Sequence, residues 1–210
     1  MRPQPYFKQG DVTLYVGDSR VIVPQLVLPE VGLILTDPPY GVGMERGDSK
    51  RGERVIGDDL PFDPSFLLSL GLPAVLFGAN AYADKLPPSK GWLVWDKTFP
   101  DMARHSQAEL AWTNFVKGIR IHRQAYHGFM RKADGWLHPT QKPVALFRWI
   151  LNLPWTPAGL VLDPFMGGGG VVRAAMECGR PVIGIDIEQE YVDATIRRLA
   201  QAVLPLAVAE

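Results

Sequence analysis

Residues 161–187 read VLDPFMGGGGVVRAAMECGRPVIGIDI and carry the strongest fold signal in the chain. An apolar strand ends at Asp163, four glycines open a helix over residues 171–178, and a second apolar strand has Asp186 at its end. In doubly wound sheets, glycines let the backbone approach a ligand beside a helix N-terminus, and an acid after the second strand binds ribose hydroxyls. The pattern therefore predicts a nucleoside-binding α/β unit.

The spacing of the glycines differs from that of a dinucleotide site, because Val172 breaks the GxGxxG pattern. A carboxylate at Asp163 would repel a pyrophosphate, but it suits a ligand with a cationic part. S-adenosylmethionine, with its adenosine, sulfonium and ammonium groups, meets this description. The alternative is a tight strand–helix turn without a ligand, although four consecutive glycines cost much chain entropy for a turn.

Strand and helix patterns alternate on both sides of this unit. Strands are predicted at residues 12–16, 31–36, 74–77, 92–95, 160–162 and 182–187, and helices at residues 19–28, 64–70, 143–151, 171–178 and 190–204. This alternation predicts an α/β fold with a doubly wound, Rossmann-like mixed sheet, in a single domain over residues 1–210. Residues 41–59 are predicted to be a mobile loop, and residues 96–134 to be the least regular segment.

Composition excludes several classes of protein. The chain has 210 residues, of which 47% are hydrophobic and 21% charged, and this is typical of a globular domain. Its one cysteine, Cys178, excludes an internal disulfide and a multi-cysteine metal centre. No apolar run reaches the roughly 18 residues of a membrane span, and the N-terminus lacks the apolar core of a signal peptide. We expect a cytoplasmic protein without a membrane partner or a metal.

The formal net charge is zero, but the charges are unevenly distributed. Residues 97–132 hold seven lysines and arginines against two acids, whereas residues 160–210 hold seven acids against four arginines. A basic middle and an acidic end favour two different faces, of which the basic one suits a nucleic acid. An ordinary solvated surface is the alternative on charge alone.

A second polar corner follows the apolar run at residues 31–36: Asp37-Pro38-Pro39-Tyr40. Its two prolines fix the backbone and remove two N–H donors, so the corner offers hydrogen-bond acceptors, the Asp37 carboxylate and the Pro38 carbonyl. Acceptors without donors suit an exocyclic amino group, and Tyr40 adds an aromatic face for its ring. The alternative is a proline-rich turn, but doubly wound folds bind ligands where such strands end.

Three motifs occur together in this chain: Asp37–Tyr40, HPTQKP at residues 138–143 and DPFMGGG at residues 163–169. In this combination and order the sequence resembles the β-type, permuted amino-group DNA methyltransferases. Including residues 77–97 and 109–115, it resembles the small phage-related adenine methylases from about residue 13 to residue 199. One departure is that the family commonly has Ser and Thr where this chain has Gly168 and Gly170.

The resemblance implies a binding site for S-adenosyl-L-methionine with parts in several motifs. Its residues would be Asp18 at the adenine, Asp186 at the ribose, Asp163 near the methionine part, Phe165, Gly167 and Gly169 in the loop, and Thr140 and Lys142 at the carboxylate of the cofactor. For Lys142 the alternative is a solvated lysine at a helix start. The strand that ends near Asp18 is expected to lie beside the chain's last strand.

The resemblance also implies a reaction on double-stranded DNA. Asp37, Pro38, Pro39 and Tyr40 would form the catalytic corner, and the target base would be flipped out of the duplex into it. The basic residues indicate DNA contacts in residues 44–54 of the loop at 41–59 and in a short recognition insert at about 97–135. The expected contact residues are Arg46, Lys50, Arg51, Arg104, Lys117, Arg120, Arg123 and Arg131. So small an insert predicts a short target site or a second subunit, as in a homodimer.

Asp37 at the start of the corner favours methylation of adenine N6, in a bacterial or phage-encoded enzyme. The corner of cytosine-N4 methyltransferases more often begins with Ser, so this enzyme is the nearest alternative. RNA and protein-amide methyltransferases, the latter with an Asn-Pro-Pro-Tyr corner, fit less well. From another class, a non-catalytic DNA- or nucleotide-binding module is an alternative, although simple binding does not require the Asp37–Tyr40 corner.

Overall fold

The computed structural model describes residues 2–26, 31–41, 61–98, 106–125 and 142–203. These contain β1 (Phe7–Gln9), β2 (Val12–Val16), α1 (Ser19–Ile22), β3 (Val31–Thr36), α2 (Ser65–Leu68), β4 (Ala74–Phe77), β5 (Gly91–Asp96), β6 (Ala108–Thr113), β7 (Gly118–Arg123), α3 (Val144–Leu151), β8 (Leu160–Asp163), α4 (Gly170–Glu177), β9 (Val182–Asp186) and α5 (Gln189–Val203). Two 3₁₀ helices, Val23–Gln25 and Ala79–Lys85, complete the described elements. Within these ranges no helix has the length and apolar character needed to cross a membrane.

The strands form one mixed sheet in the order β1-β2-β9-β8-β3-β4-β6-β5-β7. From β2 to β4 all neighbours are parallel, while β6 is antiparallel to both β4 and β5. The carboxyl ends of β2, β9, β8, β3 and β4 therefore lie at one edge of the sheet. Because β6 runs the other way, its first residues lie at this same edge.

Apolar side chains alternate along the central strands and form one core on each face of the sheet. In β4, Val75 and Phe77 belong to the core beneath α3 and α4, whereas Ala74 and Leu76 belong to the core on the opposite face. The first core includes Phe147 of α3. Helices on both faces of a mainly parallel sheet confirm the doubly wound, Rossmann-like α/β fold that the alternation predicts.

Two local predictions are wrong. Residues 108–123 of the segment predicted as least regular form β6 and β7, which are paired to β5. The helix predicted at residues 19–28 stops at Ile22 and continues as a 3₁₀ turn over Val23–Gln25, because Pro24 lacks the N–H that an α-helix needs. The loop predicted at 41–59 lies outside the described residues apart from Gly41.

Candidate active site

Four carboxylates follow four neighbouring strands at the same edge of the sheet. Asp18 follows β2, Asp186 ends β9, Asp163 ends β8 and Asp37 follows β3. The parallel register pairs Val16 of β2 with Asp186. This pairing confirms the expectation that the strand before Asp18, β2, lies beside the strand that ends at Asp186, β9. The sheet thus brings acids from distant sequence motifs to one edge.

The glycine loop between β8 and α4 needs residues without a side chain. Gly167 has φ 46° and Gly169 has φ 73°, in the left-handed region that favours glycine. A Cβ on Gly169 would lie 2.5 Å from the side chain of Thr195 in α5, whereas a Cβ on Gly167 would meet no atom within 4 Å. The loop therefore packs against α5 on one side and has open space at Gly167.

Asp186 connects this loop to the neighbouring strands. Its Oδ2 accepts a hydrogen bond from Gly167 N at 2.8 Å, and its Oδ1 accepts one from Glu188 N at 2.9 Å. Its backbone carbonyl accepts from Gly17 N at 2.8 Å. A carboxylate has about four lone-pair sites, so Asp186 has the capacity to accept ribose hydroxyls as well. Asp18 has a similar position, where it caps α1 by accepting from Arg20 N at 2.8 Å.

Asp163 is buried between the glycine loop and the Asp37–Tyr40 corner. Thr36, the last residue of β3, donates its hydroxyl to Asp163 Oδ1 at 2.7 Å. Burial raises the pKa of Asp163 to about 7, although the hydrogen bond from Thr36 lowers it. A carboxylate so poorly solvated gains from a nearby cationic group. Beside it, Phe165 packs edge-to-face on Phe62 at 5.5 Å between ring centroids.

The Asp37–Tyr40 corner is stabilised by contacts of Tyr40. The hydroxyl of Tyr40 donates to Asp37 Oδ1, and its ring lies against Gly78, where a Cβ would come within 1.9 Å of the ring. Gly78 has φ 66° and directly follows β4. Burial, followed by the charge of Asp37, raises the pKa of Tyr40 well above its ordinary value, so Tyr40 stays a neutral donor.

Lys142 contacts two carboxylates that neither interpretation of the sequence includes. Lys142 is only 4% exposed, so the alternative prediction of a solvated lysine is wrong. Its Nζ lies 2.5 Å from Asp37 Oδ2 and 2.9 Å from Glu109 Oε2, and it donates to the Tyr40 hydroxyl at 2.8 Å. Burial lowers the pKa of Lys142, but the two carboxylates outweigh burial and raise it above its ordinary value. Its contact with the cofactor carboxylate stays a prediction.

Sequence reasoning missed Glu109 and Lys97. Glu109 is the second residue of β6, and Lys97 follows β5, so both lie at the carboxyl edge of the parallel strands. Lys97 Nζ is 2.7 Å from Glu109 Oε1, which gives a chain of alternating charges: Lys97, Glu109, Lys142 and Asp37. The sequence shows Glu109 only as an acid in a basic segment, because its position depends on the antiparallel direction of β6.

The departure from the family pattern at Gly170 has a packing reason. A Cβ at Gly170 would lie 2.9 Å from the ring of Phe147 in α3. Phe147 in turn packs edge-to-face on Phe77 at 5.8 Å between centroids. A large aromatic ring from α3 therefore fills the space beside this residue, and glycine lets α3 approach the start of α4.

The residues expected at DNA are only partly described, and those described are spread apart. Lys117 lies in the turn between β6 and β7, at the edge of the sheet opposite to Asp37. Arg120 lies over the ring of Trp155 at 4.7 Å, and Arg123 pairs with Asp96 at 3.3 Å near the carboxyl end of β7. The remaining expected residues lie outside the described ranges: Arg46, Lys50, Arg51, Arg104, Arg131 and, for the cofactor, Thr140.

Comparison with known proteins agrees with this geometry. A family model described as DNA methylase, of the N6/N4 type, matches residues 87–197. A putative methylase of Escherichia coli K12, YubD, is 31% identical over 196 residues, which cover 81% of this chain and 82% of that protein. A DNA adenine methyltransferase of the same organism, YhdJ, is 45% identical over 62 residues, 30% of this chain and 21% of that protein.

Solved structures show the same fold. The complex of M1.HpyAVI with SAM has a TM-score of 0.59 at 22% identity, over 89% of this chain and 99% of that one. The PvuII DNA methyltransferase, described as cytosine-N4-specific, has a TM-score of 0.65 at 14% identity, over 99% of this chain and 91% of that one. The sheet order and its covering helices thus form the same fold as these two DNA methyltransferases.

The chain belongs to the N6/N4 DNA methylase family. It is accordingly an S-adenosylmethionine-dependent DNA methyltransferase, as the resemblance of its three motifs implies.

Proposed function

We propose that this enzyme transfers a methyl group to the exocyclic N6 amine of an adenine flipped out of double-stranded DNA. The observation that carries the proposal is the position of Asp37, which directly follows β3, next to Asp163 at the end of the neighbouring strand β8. An acceptor corner and a cofactor loop at adjacent strand ends bring the two reactants to one place. The relative named as an adenine methyltransferase supports adenine over cytosine.

The residues of the sheet edge fit S-adenosylmethionine. Three carboxylates, those of Asp18, Asp163 and Asp186, suit an adenine amino group, a cationic methionine part and ribose hydroxyls in turn. The open space at Gly167 lets a ligand approach the backbone closely. When bound, the cofactor supplies a methyl group that its positive sulfonium makes electrophilic.

The catalytic corner acts on the nucleophile. An aromatic amine is a poor nucleophile because its lone pair is delocalised into the ring. Hydrogen bonds from its two N–H groups to the Asp37 carboxylate and the Pro38 carbonyl favour a pyramidal nitrogen with a localised lone pair. Positive charge develops on this nitrogen as it reacts, so the Asp37 carboxylate stabilises the transition state more than the ground state. Pro39 keeps the corner rigid.

Tyr40 has two roles in this proposal. In the structure its hydroxyl donates to Asp37 Oδ1, the atom to which the target amine would donate. The amine would therefore replace the hydroxyl at this oxygen, and the Tyr40 ring would then stack on the flipped base. The exchange displaces a neutral phenol rather than a charged group, and it breaks two hydrogen bonds of the hydroxyl, one to Asp37 and one from Lys142.

The basic residues at 41–59 and 97–135 remain our proposal for the DNA contact. Among the described ones, Arg123 is suited to a backbone phosphate, since it lies near the carboxyl edge with its side chain 69% exposed. A homodimer that shares the recognition of DNA, and the permuted motif order, likewise stay predictions.

The test is the identity of the methylated nucleoside. Full-length protein is incubated with labelled S-adenosylmethionine and DNA made by polymerase chain reaction, and the DNA is digested to nucleosides. Label in N6-methyladenine supports the proposal, whereas label in N4-methylcytosine transfers the function to the cytosine-N4 alternative. The variant Asp37→Asn is the control; it should lose transfer while it still binds the cofactor. Cofactor binding without any transfer by the unaltered protein would instead favour a binding module.

A further inference from the structure

We propose that Glu109 is a positioning residue for methyl transfer, whose carboxylate holds the Lys142 ammonium group and keeps the potential at Asp37 negative while the target amine becomes cationic. The proposal rests on the proposed function of Asp37 and goes beyond it. It assigns a role to a residue that lies outside all three sequence motifs.

The geometry places Glu109 between two cations. Its Oε2 lies 2.9 Å from Lys142 Nζ, and its Oε1 lies 2.7 Å from Lys97 Nζ. Lys142 Nζ is at the same time 2.5 Å from Asp37 Oδ2. The side chains of Glu109 and Lys142 are 23% and 3% exposed, so water screens their charges weakly. A change of charge at Glu109 therefore changes the electrostatic potential at Asp37.

The positive charge of Lys142 opposes the proposed role of Asp37, and the negative charge of Glu109 compensates for it. A full positive charge beside Asp37 neutralises the carboxylate and repels the positive charge that develops on the attacking nitrogen. Glu109 adds a second negative charge on the other side of the ammonium group. Asp37, Lys142 and Glu109 together carry one net negative charge, while Lys97 contacts the other carboxylate oxygen of Glu109, Oε1.

Several elements present ionisable groups to the carboxylates of Asp37 and Glu109. These groups are Lys97 after β5, Tyr40 after β3, Tyr82 in the 3₁₀ helix Ala79–Lys85, Lys142 before α3 and Asp163 in β8. Burial raises the pKa of Glu109, but the two lysines outweigh burial and hold it below its ordinary value. Glu109 is therefore ionised at neutral pH.

The charge of Glu109 also acts on the titration of Asp37. Burial raises the pKa of Asp37 above its ordinary value, Lys142 opposes this increase and Glu109 adds to it. A proton on Asp37 and a cationic nitrogen beside Asp37 respond to the same potential. The acid side of the pH–rate profile therefore reports on the effect that Glu109 has on the reacting atoms.

The experiment is Glu109→Gln, which removes the charge and keeps the size of the side chain. We expect kcat to fall about tenfold, with KM for cofactor and DNA unchanged within about twofold. The acid limb of kcat should move to lower pH, because Asp37 loses a neighbour that raises its pKa. Glu109→Asp, which keeps the charge, should return the acid limb to its original position.

Glu177→Gln is a matched control. Glu177 also bridges two cations, Arg148 at 3.0 Å and Arg173 at 2.9 Å, but it belongs to the end of α4. This variant should keep the wild-type kcat and pH profile. Urea unfolding and cofactor binding, measured on every variant, show that the compared proteins are folded.

A Glu109→Gln enzyme with wild-type kcat and acid limb would overturn the proposal. So would a loss of kcat with an unmoved acid limb, because this result marks a merely structural residue. If Glu109→Gln does not fold, Glu109→Asp decides, since a shifted acid limb in a variant with unchanged charge contradicts the mechanism. Asp37→Asn separates the two proposals: activity in that variant rejects the role of Asp37, whereas its inactivity beside a wild-type Glu109→Gln rejects only the role of Glu109.

Discussion

Lys142 Nζ lies 2.5 Å from Asp37 Oδ2, and this contact joins the segment before α3 to the Asp37–Tyr40 corner after β3. The two residues come from different sequence motifs, yet they form one buried group with Glu109. The properties of the corner therefore depend on charges that come from three separate parts of the chain.

Replacing Lys142 by Met removes the cation between two partly buried carboxylates. Breaking a buried pair by removing one partner costs about 3 kcal/mol, so the free energy of unfolding at pH 7 should fall by roughly this amount. Without the ammonium group the pKa of Asp37 rises further, so the acid limb of kcat should move to higher pH. Urea unfolding and a pH–rate profile measure the two effects.

The direction of this shift distinguishes Lys142 from Glu109, for which the limb moves to lower pH. Lys85→Met is the control, since the Lys85 ammonium group donates to backbone carbonyls of Pro61 and Phe62 away from the corner. An acid limb of Lys142→Met at or below that of the wild type would contradict the pairing.

The pH dependence of the unaltered enzyme follows from Asp37. Burial raises the pKa of Asp37 above its ordinary value, although Lys142 lowers it. Only the ionised carboxylate accepts from the amine, so kcat should decline as the pH falls through this raised pKa. Single-turnover rates between pH 4 and pH 8 measure the decline. An acid limb at the ordinary pKa of an aspartate, or below it, is incompatible with this account.

The Asp163 carboxylate should destabilise the folded protein at pH values at which it is ionised. Burial raises its pKa to about 7 in the folded protein, from an ordinary value of 3.8. The folded state therefore binds the proton more tightly than the unfolded state, and stability is lost as the pH rises from about 4 to about 7. Asp163→Asn should be more stable than the wild type at pH 8, by about 1–3 kcal/mol, with a smaller difference at pH 5.

The same substitution should weaken cofactor binding, because a neutral amide does not attract a cationic ligand. Urea unfolding at both pH values and calorimetric titration with S-adenosylmethionine measure the two effects. Equal stabilisation at both pH values would show that the charge of Asp163 is not the cause.

Gly78 and Gly71 offer a matched test of the position of Tyr40. Both have φ 66°, but a Cβ at Gly78 would meet the Tyr40 ring, whereas a Cβ at Gly71 would meet nothing within 4 Å. Each substitution by Ala costs about 1 kcal/mol of stability for the left-handed backbone. Only Gly78→Ala should also displace Tyr40 and lower kcat/KM for DNA, by about tenfold. Equal kcat/KM in the two variants would show that the ring position does not matter.

The sequence identifies the strands and acids that depend on local pattern. The apolar runs of β2, β3 and β4 are predicted with the bounds that the structure shows. Asp37 and Asp163 follow from their positions at strand ends, because parallel strands bring their carboxyl ends to one edge.

What depends on sheet topology was not predictable. Glu109 reaches the site because β6 is antiparallel to β4, and no local pattern in residues 108–113 specifies this direction. The contact of Lys142 with Asp37 was missed for a related reason: the sequence shows a lysine near a helix start, but not which carboxylates surround it.

β2 and β9 pair in a parallel register that places Val16 beside Asp186. This pairing limits the order in which the protein can fold during its synthesis. β2 is translated well before β9, its inner neighbour in the sheet. β3 likewise cannot pair with β8 until β8 has been translated. Such long-range pairings fold slowly, and a nascent chain stalled before residue 182 would lack β9 with Asp186, the strand that lies between β2 and β8. In such a chain β2 has no parallel partner, and Gly167 N lacks its acceptor on Asp186.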